Sequence, residues 1–565
     1  MAACPPAPPA RSIGFAVDGV RGLQIGHRRG KKGFWDMIRS ASTTLRHWGA
    51  GLRLGALAAL AALSLMGMDP AFAQDATAPA AATPAVATTA EPAAAAAVAA
   101  TPEAVEAMQT EAEPAPVEIE RTVDKGDVSW MLVSTLLVLL MIIPGLALFY
   151  GGLVRAKNML SMLMQVSTVT VIGMMAWAFW GYSLAFTDGG ALNTFVGGFS
   201  KLFMQGVDAS TTVETFSVGV MLPELVFFAF QMTFACITAA LVLGGVAERM
   251  KFIGVVIFAI LWPLLSYYPI AHMVWWWAGA TSAVGTSAED LVAGAGLIWG
   301  FGALDFAGGT VVHINAGVAA LVGAIILGAR TGYRNEPMPP HSLTLTFVGA
   351  GLLWVGWFGF NAGSNLEANG YAALAMVNTL LATAAAGFTW CLTEFVTRGK
   401  ASMLGMASGI VAGLVAITPA AGFAGPIGAI VLGAIASPIC VIFCSAIKNA
   451  LKYDDSLDAF GIHAVAGIIG AIGTGIVVSP ALGGAGWVDF ATCSAETMAC
   501  DAGAYDMATQ VIAQAKGVGV TVVWSLVSSI VVFGLIRLIG AGRVSKDTEV
   551  EGLDINEHGE RAYHS

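Results

Sequence analysis

Apolar residues in this chain come in long runs, and from about Trp130 to Ile539 those runs repeat with only short polar breaks. A helix needs about 20 apolar residues to cross a hydrocarbon core. Eleven stretches fit that requirement, at 129–151, 158–185, 218–246, 252–277, 306–329, 342–362, 371–396, 402–419, 426–448, 459–479 and 517–540. Thr418-Pro419 and Gly425-Pro426 separate the eighth from the ninth. In lipid every backbone N–H and C=O must be satisfied inside its own segment. The pattern therefore predicts an all-α membrane protein with eleven transmembrane helices.

Composition agrees. Of 565 residues, 56% are hydrophobic and only 11% charged, against about 25% charged in soluble domains. A soluble core of this size would also split into domains joined by polar linkers. The net charge of −10 adds little, because charge is confined to tails and loops, and no nucleic-acid partner is expected. The position of the charge is more informative. Arg155 and Lys157, Arg249 and Lys251, Arg330 and Arg334, Arg398 and Lys400, and Lys448 and Lys452 fall in alternate loops; the intervening loops hold only Lys201 and Lys516. The positive-inside rule places the basic loops, and the tail after Ile539, in the cytoplasm.

The first 120 residues follow other rules. Arg39, Arg46 and Arg53 precede an apolar stretch from Leu54 to Met66 that runs into Ala71-Phe72-Ala73, the layout of a secretory signal. Residues 1–73 are read as a signal region cleaved after Ala73, with an uncleaved anchor and a true start at Met37 as alternatives. Residues 74–124 are Ala/Pro/Thr/Glu-rich and are expected to be disordered for want of apolar surface to bury. A membrane domain at 125–540 and a cytoplasmic regulatory tail at 541–565 follow. Signal export puts the mature N-terminus outside, in agreement with the loop charges.

Within the membrane domain, GGTVVHINAGVAALVGA (308–324) resembles FGIHAVAGIIGAIGTG (460–475). Each has a histidine followed by glycines four and ten residues later: His313, Gly317 and Gly323, then His463, Gly467 and Gly473. The two histidines fall in spans five and ten. A repeat of five spans is odd, so the two halves are inverted, which puts a shared site near the bilayer midplane. An ionisable residue inside a span is costly and points to function. A dry site favours neutral imidazole, which both donates and accepts. A facing pair can line a narrow path for a small neutral polar molecule. Axial haem ligation is the rival chemistry; nothing else suggests a haem cavity, and no cofactor is expected.

Aromatics form a second constellation. Phe227, Phe230 and Phe234 share one face of span three. Trp357, Phe360 and Ser364 make a second stripe at the outer end of span six, and Trp275 lies at the outer end of span four. One reading is an aromatic belt with packing, preferred for Trp276 and Trp277. The other is a cation–π vestibule, each contact contributing roughly 0.5–2 kcal/mol. Asp305 stands eight residues before His313, as a helix cap favoured by the macrodipole or as an acid below the vestibule. Asp458, before His463, reads as a cap. None of the seven cysteines has metal-ligand spacing; Cys493 and Cys500 are left open between a disulfide and two free thiols.

At these residues the chain resembles the Amt/Mep/Rh ammonium transporter family, in its bacterial Amt branch. The matching stretches are IPGLALFYGGLVRAKN, FQMTFACITAALVLGGVAER, PIAHMVW, GALDFAGGTVVHINAG, GWFGFNAGS, FGIHAVAG and the tail EGLDINEHGERAY, in order over about 125–565. The resemblance implies a homotrimer of eleven-span subunits in the inner membrane, each with its own pore, and control by a cytoplasmic PII signal protein. It implies NH4+ recruitment by Phe234, Trp275 and Ser364, and a gate of Phe234 over Phe360. His313 and His463 become pore histidines, with Phe230 and Trp357 beside them and Asp305 as the acid near the recruitment site. The long N-terminal extension and the extra Trp276-Trp277 depart from the family pattern and bear on vestibule shape.

The energetics favour a neutral permeant. Moving a bare monovalent ion into low dielectric costs tens of kcal/mol in the idealised Born picture, and the pore region carries no acidic ring or carbonyl filter to replace its hydration. The expected cycle is recruitment of NH4+, loss of a proton, passage of NH3 past the histidines and reprotonation inside. Net NH3 passage without charge movement and an ammonium-sensor role are the alternatives; no enzymatic activity is expected.

Overall fold

A computed structural model describes residues 119–563. The expected signal region, and the expected disordered extension up to residue 118, lie outside these described residues. Its last residues, 119–124, lie inside and include strand β1, Thr122–Val123. β1 runs parallel to β3 (Val220–Pro223), which pairs antiparallel with β2 (Thr212–Glu214). Main-chain pairing of this kind needs no apolar core of its own, and Thr and Val suit extended backbone.

Eleven helices among the described residues have the length and apolarity to cross a membrane. They are α1 (Lys125–Leu153), α2 (Ala156–Ala185), α3 (Glu224–Val246), α4 (Phe252–Trp275), α5 (Gly309–Leu327), α6 (Leu343–Gly363), α7 (Gly370–Arg398), α8 (Met403–Ala420), α9 (Pro426–Leu451), α10 (Phe460–Val477) and α11 (Met507–Leu538). Each coincides with a predicted span. The largest shift is in α11, which starts at 507, where the hydropathy pattern predicts 517. The Asp506 side chain accepts from Thr509 N and caps it. In its first turns Gln510 and Gln514 are buried, Gln510 donating to Gly302 O and Gln514 to Leu304 O and Ala471 O. Hydropathy misses the start of a span whose polar side chains find tertiary partners.

The two histidine helices occupy the interior. α5 packs against α3 and α11, α10 against α8, α9 and α11, and the first turn of each lies on the body of the other. Gly317 and Gly467, four residues past each histidine, permit that crossing. A Cβ on Gly317 would sit 2.3 Å from Ala464 N, and one on Gly467 3.0 Å from Ile314 Cγ1 and 3.2 Å from His313 Cβ. The outer helices expose apolar side chains, among them Leu136 on α1, Phe388 on α7, Ile427 on α9 and Val523 on α11.

One face of the bundle carries the basic loops and the chain end. Arg330 bridges Glu248 and Asp454, and Arg155 joins Glu248. Burial alone would raise the Glu248 carboxyl, but Arg330 and Arg155 pull it down to about 2. Two short helices, α12 (Lys546–Glu551) and α13 (Leu553–His558), fold back on this face. Asp554 accepts from Leu160 N and Ser161 N at the start of α2, a carboxylate on a helix N-terminus. Glu549 binds Arg543 and Thr331. We call this the tail face and its opposite the vestibule face.

Candidate functional site

Asp305 shapes the entry to α5. Its carboxylate accepts from Gly308 N (3.0 Å), Gly309 N (2.6 Å), Thr310 N (2.9 Å) and Val311 N (3.3 Å), and from the Thr310 hydroxyl. These are the orphan donors of a helix start, so the residue acts as a cap. Burial pushes its carboxyl above the ordinary range, and the donors offset part of that rise. The helix begins in a π turn, Gly309–Ile314, that carries His313; single π turns in α-helices often mark functional positions.

The second half repeats the device with a different residue from the one expected. Asp458 does not cap α10: it sits at φ 59° and takes Lys448 Nζ at 2.5 Å. Asp455 is the cap, accepting from Ala459 N (3.1 Å) and Phe460 N (2.8 Å). Asp455 precedes His463 by eight residues, as Asp305 precedes His313, and His463 also rides a π turn, Phe460–Ala464. Burial, with the neighbouring Asp458 carboxylate, pushes Asp455 up to about 6.

The two histidines meet. Their Nδ1 atoms are 3.3 Å apart and the rings nearly parallel, 21° between planes. For neutral rings this contact requires opposite tautomers, one donating from Nδ1 and the other accepting there. His313 Nε2 is buried without a hydrogen-bond partner among the described residues. Trp357 stacks on His313 with centroids 5.3 Å apart, its indole N–H held by the Thr418 hydroxyl at 2.9 Å. Around the pair lies a space of about 10 Å³ lined otherwise by carbon-rich side chains such as Ile237, Leu241, Val312 and Phe360. That is about the room one water-sized molecule needs.

Above the histidines, Phe234 and Phe360 stack face to face, centroids 4.1 Å apart and 14° between planes. Phe230 packs on Phe234 at 4.9 Å, and all three rings are buried. Trp275 meets Phe234 edge-on at 6.0 Å and donates its N–H to Asp305 O at 3.0 Å. Its ring borders a cavity of about 1170 Å³ that also touches Ser364, Asp305, Phe227 and Gln231. Ser364 donates to Phe360 O at 2.8 Å, leaving its oxygen free to accept. Trp276 and Trp277 serve packing: Trp276 stacks on His272, and Trp277 lies between Phe216 and Trp299 and against Phe490. Cys493 and Cys500 form a disulfide in the segment that carries Phe490.

The structure thus gathers Phe230, Phe234, Trp275, Asp305, His313, Trp357, Phe360, Ser364 and His463 along one line from vestibule to core. Sequence reasoning missed Asp455, although the eight-residue spacing was available. It also missed Gln231, inside the FQMTF stretch, and the Thr418 hydroxyl behind Trp357.

The profile of the Ammonium Transporter Family matches residues 129–563. An ammonium transporter of Aquifex aeolicus is 42% identical over 445 residues, covering 79% of this chain and 95% of that relative. One of Bacillus subtilis is 40% identical over 443 residues, covering 78% and 98% respectively. Among solved structures, the crystal structure of Saccharomyces cerevisiae Mep2 matches with a TM-score of 0.64 at 32% identity, covering 76% of this chain and 92% of that one.

Proposed function

The chain belongs to the ammonium transporter family, and from that premise we propose that it moves ammonium by admitting the cation and conducting the neutral molecule. NH4+ gathers at Trp275, Ser364 and the Phe234 ring, where π faces and the Ser364 oxygen replace part of its hydration. The Phe234–Phe360 stack opens, one N–H bond breaks, and the proton returns to vestibule water. NH3 then passes the histidine pair, which offers it one donor and one acceptor at a time, and takes up a proton beyond. Asp305 acts here as the group that holds the entry turn and, through its carbonyl, the Trp275 indole.

The observation that carries this reading is the His313–His463 pair in an apolar space of about 10 Å³ beneath stacked phenylalanines. An ion stripped of water there would face a penalty of tens of kcal/mol in the Born limit, with only two imidazoles to answer it. The basic loops at Arg155, Arg249 and Arg330 support a cytoplasmic tail face in an inner membrane. The apolar residues exposed on the outer helices suit lipid and a homotrimer interface, and the tail-face surface suits a PII-type regulator.

Proteoliposomes with uptake, current and internal pH recorded together test the proposal. An ammonium gradient is expected to drive uptake with internal alkalinisation when no compensating proton follows, or with inward current when one does. Sodium or potassium flux comparable to that of ammonium would overturn it.

A further inference from the structure

Beside the aromatic site, the vestibule holds a carboxylate that the fold leaves unanswered. Glu367 follows Ser364 by three residues and is 7% exposed. Its Oε2 takes the Ser217 hydroxyl at 2.9 Å and Asn369 Nδ2 at 3.1 Å. Its Oε1 is buried with no hydrogen-bond partner among the described residues. No described lysine or arginine forms an ion pair with it, whereas Glu224 has Lys201, Glu248 has Arg155 and Arg330, and Asp454 has Arg330. A charge withdrawn from water is costly unless something pairs with it. Glu367 lines the 1170 Å³ cavity that leads to Trp275 and Ser364.

A second residue that lines the same cavity carries an uncommitted acceptor. Gln231, three residues before Phe234, is 8% exposed and its amide oxygen has no partner among the described residues. Two unsatisfied oxygens, one of them charged, suit a ligand that is positive and donates from several N–H bonds at once. Carboxylates also outnumber cations on the wall: Asp188, Glu214, Asp305, Glu367 and Asp489 line it against Arg121 and Lys201, and Lys201 is already paired with Glu224. A cleft of one sign with low-dielectric walls concentrates counter-ions.

We propose that Glu367, with Gln231, forms an outer station that binds the substrate cation before it reaches Trp275 and Ser364; this rests on the ammonium reading above. The station takes ammonium and primary alkylammonium ions, Glu367 Oε1 accepting an N–H and supplying the charge, with the Gln231 oxygen as a further acceptor on the wall of the same cavity. Because the acidic wall draws the cation in from bulk water over a distance, the attraction weakens with salt.

Radiolabelled methylammonium uptake by the full chain in proteoliposomes, at low and high ionic strength, tests the station. Glu367→Gln keeps the acceptor for Ser217 and Asn369 and removes the charge. It is expected to raise KM by about tenfold at low salt, the lower end of electrostatic focusing, with the maximal rate within about twofold, and to flatten the rise of KM with salt. Glu367→Asp is expected to restore the salt dependence, and Gln231→Leu to raise KM without changing it. An unchanged KM and salt dependence in Glu367→Gln, in protein that remains folded, overturns the station. Trp275→Ala separates the levels: if it raises KM while Glu367→Gln does not, the station alone falls; if neither moves KM, the aromatic recruitment site falls with it.

Discussion

The starts of α5 and α10 are built alike and serve different surroundings. Each has an aspartate eight residues ahead of a histidine, a π turn that carries the histidine and a glycine four residues beyond it. At α5 the acid is saturated by backbone donors and opens toward a broad aromatic vestibule. At α10 the acid accepts from fewer backbone donors and neighbours the Asp458–Lys448 pair and the Arg330 bridges of the tail face. The shared parts place two imidazoles in contact, and that geometry needs both halves. The parts that differ are the surroundings: stacked aromatic rings lie beside the start of α5 and ion pairs beside the start of α10.

The heaviest test of the shared part is loss of either imidazole. His313→Ala and His463→Ala are each expected to lower methylammonium uptake by about tenfold or more, since each removes a hydrogen-bond partner worth roughly 1–3 kcal/mol in a buried site, or to admit ions that appear as current. Uptake and current on protein whose helicity matches the parent provide the check. Wild-type uptake in both variants would sink the pore assignment, and an effect in one alone would break the equivalence of the halves.

The caps come next. Asp305→Asn replaces an acceptor facing several N–H groups with an amide that satisfies fewer of them, at a cost of about 2 kcal/mol, and it loosens the turn that holds Trp275. Uptake is expected to fall more for Asp305→Asn than for Asp455→Asn. The inner acid should show itself in pH dependence. With Asp455 raised to about 6 in the fold and near 4 in an unfolded chain, the folded state binds the proton more tightly. Stability contributed there is therefore present at low pH, declines as pH rises from about 4 to about 6, and is level above. Thermal unfolding of detergent-solubilised protein between those limits should show a shallower decline in Asp455→Asn; an identical slope would remove Asp455 as its source.

How much of this could be read from the chain follows the same division. Spans are legible because lipid forces each to be apolar and to satisfy its own backbone, so all eleven were foreseeable. The early start of α11 was hidden because Gln510 and Gln514 are satisfied by carbonyls 200 or so residues away in sequence or on α10, and hydropathy counts the residue without its partner. Asp458 looked like the cap because it is nearest the helix, yet its left-handed backbone turns it toward Lys448 and leaves the capping geometry to Asp455. The histidines were visible as an intramembrane repeat. Their Nδ1 contact, and the stacking of Phe234 on Phe360 in addition to its helix neighbour Phe230, depend on how α3, α5, α6 and α10 cross, and no local spacing encodes that.

The gate tests the vestibule side of the comparison with a smaller expected effect. Phe234→Ala removes a stacked pair worth about 0.5–1.5 kcal/mol beyond its area and opens space above His313. Methylammonium uptake is expected to rise or lose its preference over larger alkylammonium ions by a few-fold, because the histidines below remain. An unaltered rate and preference would take Phe234 out of the gate.

The smallest effect is expected farthest out. The segment holding the Cys493–Cys500 bridge packs Phe490 against Trp277, and Trp277 sits between Phe216 and Trp299. This cluster frames the vestibule, while Phe234 sits midway along α3 and Trp275 and Ser364 at the ends of α4 and α6. Replacing both cysteines with serine frees a short loop, a local loss of about 2–3 kcal/mol in the chain-entropy account, and should leave the methylammonium KM within about twofold, since none of the proposed recruitment side chains lies in that loop. Uptake with the double variant, and with the parent after reduction, measures this. A KM shift as large as that of Trp275→Ala would mean that recognition extends to the Trp277 cluster, and the vestibule would then have to be drawn as one continuous aromatic surface from Phe490 to Phe234.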